Sequence, residues 1–73
     1  MYKYKLLTFN TTHNAMLSEK ILKESGYAIR LIPVPRSISA SCGLAARVLT
    51  GDYKTAVEII KEQGIDLAGI YDF

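Results

Sequence analysis

Only one cysteine, Cys42, two prolines and no tryptophan occur among the 73 residues. A lone cysteine excludes an internal disulfide and any all-cysteine zinc or iron–sulfur site within one chain. Long apolar runs are missing too, which excludes a membrane-spanning helix. The opening residues 1–5 carry positive charge but no signal-peptide apolar stretch. The expectation is a cytoplasmic protein with a reduced thiol and no membrane partner. Nine basic residues against seven acidic ones leave a net charge of +2, too small an excess to imply nucleic acid by itself. What is present is ordinary for a soluble fold, 49% hydrophobic and 22% charged. The length allows one domain, 1–73, held by packing alone or with a partner subunit.

Hydrophobic periodicity divides the chain into six elements. Tyr4–Phe9 is apolar and aromatic and predicts a strand. The polar cluster at 10–14 is rich in helix-capping residues, and a helix is expected over 15–25, with Gly26 as its stop. A second strand is expected over 27–34, with Pro33 and Pro35 pointing to a sheet edge. A polar loop over 36–41 leads to a third strand over 43–49, where Ala45 and Ala46 also suit a helix. Asp52 is placed to cap a second helix over 53–63, which Gly64 ends, and a last strand covers 65–71. The order βαββαβ predicts an α/β (α+β) ferredoxin-like fold, an antiparallel four-stranded sheet with two helices on one face. The first and third strands should be central.

The right-handed crossover rule makes the first and second strands parallel, and the third runs against both. The end of the first strand and the start of the third then fall at one end of the sheet. Residues 10–14 and 36–42 are expected to converge there. At that rim, the free N–H groups of the first helix and Arg36 would favour a Cys42 thiolate, the reactive form of the side chain. Gly43 would leave room beside the sulfur, Ser37, Ser39 and Ser41 would offer hydrogen bonds to an anion, and His13 a proton or a donor. The blander reading is available for each residue: a lone cysteine as a buried small hydrophobe, His13 as a surface cap, the serines as loop formers, Arg36 as a solvated turn residue.

Familiar catalytic patterns are absent. There is no Cys-x-x-Cys pair to supply a resolving thiol, and Cys42 and Arg47 are separated by four residues rather than the five of a phosphate-cradling loop. No glycine-rich nucleotide loop occurs. His13 and Cys42 are too few for a closed zinc site, so no metal is expected. The stretch Pro33-Val34-Pro35-Arg36-Ser37-Ile38-Ser39-Ala40-Ser41-Cys42-Gly43-Leu44-Ala45 resembles the signature Pro-Arg-x-Ile/Leu-Ser-x-x-Cys-Gly of the selenium/sulfur carrier protein-like family, small domains of bacteria and archaea. The upstream Phe9, Thr12-His13, Ala15 and Glu19-Lys20-Ile21-Leu22-Lys23 are similar to it as well, so the resemblance spans essentially the whole chain.

That resemblance implies a carrier holding a persulfide or perselenide on Cys42 between a donor and an acceptor protein. It implies no cofactor and no enzymatic turnover, although a thiol-transferase role stays open. Arg36, Ser39, Ser41, Gly43 and His13 would be the anion-stabilising or loop residues around the acceptor thiol. The alternative is a non-catalytic ligand-binding or protein-interaction module in which the cysteine is structural.

Strand alternation adds a second feature. Turning Tyr4 and Leu6 toward the helices leaves Lys3, Lys5, Leu7 and Phe9 on the open sheet face, with Arg30, Ile32, Arg47 and Leu49. Such a mixed apolar and basic surface suits a homodimer interface or an acidic partner. Nucleic acid is not expected, because Tyr2 and Tyr4 then fall on the helix side and the third strand offers no stacking ring.

Overall fold

The computed structural model describes residues 3–35 and 43–73. Its elements are β1 (Tyr4–Phe9), α1 (Thr12–Glu24), β2 (Ile29–Pro33), β3 (Leu44–Leu49), α2 (Tyr53–Glu62) and β4 (Leu67–Asp72). The sheet order is β2-β3-β1-β4, and every neighbouring pair is antiparallel. This is the ferredoxin-like plan, with β1 and β3 central and the proline-bearing β2 at an edge, as the sequence predicts. The stretch over 44–49 is a strand, not a helix.

Both helices end in the same hydrogen-bonded turn. The N–H of Tyr27 donates to the carbonyl of Leu22 at 2.9 Å, and that of Gly26 to Lys23 at 3.1 Å. In α2, Ile65 donates to Ile60 at 3.2 Å and Gly64 to Lys61 at 3.0 Å. These are Schellman closures, with a glycine in the left-handed region and an apolar residue next to it. Tyr27 and Ile65 pack into the core, their amides already committed to the helix ends. That is why β2 and β4 begin two residues later than the apolar pattern predicts.

The helix starts differ from expectation as well. α1 begins at Thr12 rather than Ala15, because the Thr11 hydroxyl accepts from the N–H of Asn14 at 3.1 Å. Asp52 precedes α2 but makes no side-chain cap. Its backbone is already helical, φ −103° and ψ −12°, rather than in the extended conformation typical of a capping residue. Its carbonyl still accepts from Ala56 at 3.0 Å.

The core lies between the sheet and the two helices. Leu7 and Phe9 of β1, Ile29 of β2 and Ala46 and Val48 of β3 pack there against Ala15 and Leu22 of α1 and Ala56, Val57 and Ile60 of α2. This reverses the parity expected for β1: Leu7 and Phe9 face the helices, while Tyr4, Leu6 and Thr8 face the open side. The reason is register. Leu6 stands opposite Arg47 and Leu7 opposite Ala46. Putting Leu6 under the helices would carry the Arg47 guanidinium there too, at a desolvation cost of several kcal/mol per unpaired charge. Lys5 is on the helix side, at the strand's solvent end. Its ammonium bonds Asp72 across the β1–β4 ladder and lies 4.9 Å from the Tyr53 ring centroid. The hydrogen bond to Asp72 is the main reason its pKa rises above the ordinary lysine value.

One polar atom in the core has no partner among the described residues. Ser18 of α1 is fully buried and its hydroxyl makes no hydrogen bond. Such an atom costs about 1–3 kcal/mol relative to an apolar replacement of similar shape. Ser18→Ala should therefore raise stability by about 1 kcal/mol or more, with a further helix-propensity gain. Chemical denaturation reads this directly, and a loss of stability would show that the hydroxyl is satisfied.

Candidate functional site

The sheet registers define one rim. Thr8 pairs with Ala45, Pro33 with Leu44, and Phe9 with Leu67. The ends of β1 and β2 and the starts of β3 and β4 therefore lie at the same end of the sheet. β1 and β2 are each antiparallel to β3 and so parallel to each other, as the crossover rule requires. α1 starts three residues after Phe9, which brings its N-terminus to this rim.

The β2–β3 connection is closed at its base. The N–H of Val34 donates to the carbonyl of Gly43 at 3.0 Å, one rung beyond the Pro33–Leu44 pair. Gly43 has φ +74°, and a Cβ there would meet nothing within 4 Å. Its requirement is therefore conformational: the backbone occupies the left-handed region, which costs an ordinary L-residue about 1–2 kcal/mol. Beyond the access expected of it, Gly43 therefore serves the start of β3.

His13 occupies the second position of α1 and is exposed. Thr11 satisfies Asn14, and no acidic residue stands in the first turn. The N-terminal end of the helix dipole thus has no carboxylate of its own helix to offset it. Asp66 also comes to this end of the sheet, since it precedes Leu67, the partner of Phe9. It sits on the β4 side, with β1 between it and β3. Arg36, Ser37, Ser39, Ser41 and Cys42 lie outside the described residues. Among the described residues no group of three or more His, Cys, Asp and Glu side chains could hold a metal ion. Among the described residues no helix is long and apolar enough to cross a membrane.

A family model described as "Putative Se/S carrier protein-like" matches residues 3–72. The chain belongs to this Se/S carrier protein-like family. The match runs over every element of the fold, in line with the resemblance carried by the Pro-Arg-Ser-Ile-Ser-Ala-Ser-Cys-Gly stretch. No curated protein and no solved structure matches the chain. For a member of the Se/S carrier protein-like family, the described rim contributes a pinned hairpin base at Val34 and Gly43, a helix N-terminus with no acidic residue in its first turn and an exposed imidazole.

Arg47 lies on the open face as expected, but alternation put Tyr4 on the helix side, so the contact between them was not foreseen. Arg47 lies 4.3 Å from the Tyr4 ring centroid and stands in register with Arg30. The β1–β3 pairing was the signal needed, and single-strand alternation does not supply it.

Substitutions at Gly43 separate conformation from access. Gly43→Ala should cost about 1–2 kcal/mol, and Gly43→Asn clearly less, because asparagine tolerates the left-handed region better. Thermal melts of the two variants check this; equal losses would mean that volume rather than φ sets the requirement.

Proposed function

We propose that the protein carries sulfur or selenium as a persulfide or perselenide on Cys42, between a donor and an acceptor protein. The observation that carries this reading is the family match over residues 3–72, in a chain whose one thiol stands next to Gly43. The chemistry needs no second cysteine. The Cys42 thiolate attacks the terminal sulfur of a donor persulfide. A new S–S bond forms at Cys42, the donor's S–S bond breaks, and the donor leaves as a thiolate. The acceptor nucleophile then attacks the terminal atom, and the Cys42 thiolate leaves in turn. With selenium, the bond formed and broken at Cys42 is S–Se. Neither transfer consumes an external oxidant or reductant.

Three features favour the reading. The base of the β2–β3 connection, next in sequence to the cysteine, is fixed by the Val34–Gly43 hydrogen bond. The N-terminus of α1 falls at that same end and favours an anion, the state of both the thiolate and the terminal persulfide. Arg36 and His13 are the candidate anion stabilisers, with Ser39 and Ser41 shaping the loop. On this reading the protein is not an enzyme, since it turns over no small molecule.

The test is loading. Incubation with a cysteine desulfurase and isotope-labelled cysteine should add one sulfur to the intact mass of the wild-type chain and none to Cys42→Ser. No label on folded wild type, or equal label on Cys42→Ser, overturns the carrier reading. Iodoacetamide supplies a second check. Cys42 should alkylate in the folded protein, and more slowly in Arg36→Gln. Alkylation only on unfolding would favour the structural-cysteine alternative.

A further inference from the structure

Two arginines stand in register on neighbouring strands, with no carboxylate ion-paired to either among the described residues. Arg30 of β2 and Arg47 of β3 are direct cross-strand partners, and both project to the open face. Like charges directly opposite destabilise a sheet, since their Cβ atoms stand only about 4.5–5.5 Å apart. Neither has an ion-pair partner among the described residues; the two salt bridges there join Lys5 to Asp72 and Lys23 to Glu19. The seven acidic side chains lie elsewhere: on the helices, at the start of α2, before β4 and against Lys5.

An open groove of about 420 Å³ runs beside this pair, lined by Tyr4, Ala28, Ile29, Arg30, Arg47 and Leu49. It combines two guanidinium groups with apolar walls. It lies toward the end of the sheet opposite the Gly43 rim: Arg47 stands three residues from Leu44, about 10 Å along the strand. A partner seated in the groove would leave the rim open.

We propose that this groove docks an acidic, partly apolar peptide segment of a partner protein. Charge complementarity fixes the class: carboxylates between Arg30 and Arg47 would replace repulsion with charge-assisted hydrogen bonds, and guanidinium forks match carboxylates. A second copy of this chain is disfavoured, because a twofold contact on this face brings the arginine pairs together. Single-stranded nucleic acid is disfavoured for another reason, although Tyr4 does lie on the open face. Its ring is engaged by Arg47 at 4.3 Å, with the Lys3 ammonium 5.6 Å from the same centroid. Tyr71 lies against the Gly69 backbone, where a Cβ would come within 2.8 Å of its ring. The Tyr4 ring is therefore not a vacant stacking platform of the kind that base recognition uses, and β3 carries no aromatic residue. The inference is independent of the chemistry at Cys42.

The experiment titrates isotope-labelled protein with a synthetic peptide of mixed glutamate and leucine, followed by amide NMR shifts. Shifts should cluster at Tyr4, Arg30, Arg47 and Leu49, and the affinity should fall about tenfold in Arg30→Gln, the scale of one charge-assisted hydrogen bond. Lys20→Gln, the same charge change on the exposed face of α1, should bind as wild type. Arg30→Gln should also raise Tm by about 1–6 °C, since it removes the cross-strand repulsion. Equal binding by wild type and Arg30→Gln overturns the proposal, as does a fall in Tm. So does an oligoribonucleotide that shifts the same amides more strongly than the peptide, or a concentration-dependent dimer that Arg30→Gln abolishes.

Discussion

The antiparallel register of β1 against β3 governs the rest of the molecule. With Leu7 opposite Ala46 and Leu6 opposite Arg47, one face of the two central strands is apolar apart from Lys5 at the solvent end of β1, and the other carries the guanidinium. The helices must cover the first face, because covering the second would bury an unpaired charge. The same register sets the end of β1 beside the start of β3. The rim where α1 begins and the β2–β3 hairpin closes at Val34 and Gly43 follows from that pairing. A slip of one residue would exchange the faces and move both features.

The two faces divide the work. On the helix side, Phe9, Leu7, Leu22 and Ile60 supply a dense, fully buried core for a chain that has no disulfide to staple it. On the other side, Leu6, Thr8 and Ala45 are also fully buried, so the centre of the open face is covered rather than flat. Charge collects nearer the far end, at Arg30 and Arg47, away from the rim. On the proposed reading, such separation would let partner docking and atom exchange use different surfaces.

Much of the fold was legible in the sequence because its signals are local. Gly26 and Gly64 mark the helix ends, Pro33 marks the edge strand, and the order of elements leaves few topologies. Strand starts at 27 and 65 were misplaced because apolar residues that close a Schellman turn look like strand residues. The face of β1 was not legible for a different reason. Leu6, Leu7, Thr8 and Phe9 are all fully buried, so a central strand carries no inside–outside alternation to read. Arg47 decides the matter only once its cross-strand partner is known. At the candidate site, His13 and Gly43 fall at the sheet end where strand direction puts them. Cys42, Arg36, Ser39 and Ser41 rest on the motif and on the family to which the chain belongs.

The central claim is that the single thiol holds a sulfane sulfur in the folded protein. Cold cyanolysis after exposure to a desulfurase and cysteine measures that sulfur directly, as thiocyanate released per chain from protein freed of small molecules. The account predicts release close to stoichiometric for wild type and background release for Cys42→Ala. Background release from the folded wild type, or undiminished release from Cys42→Ala, would contradict it.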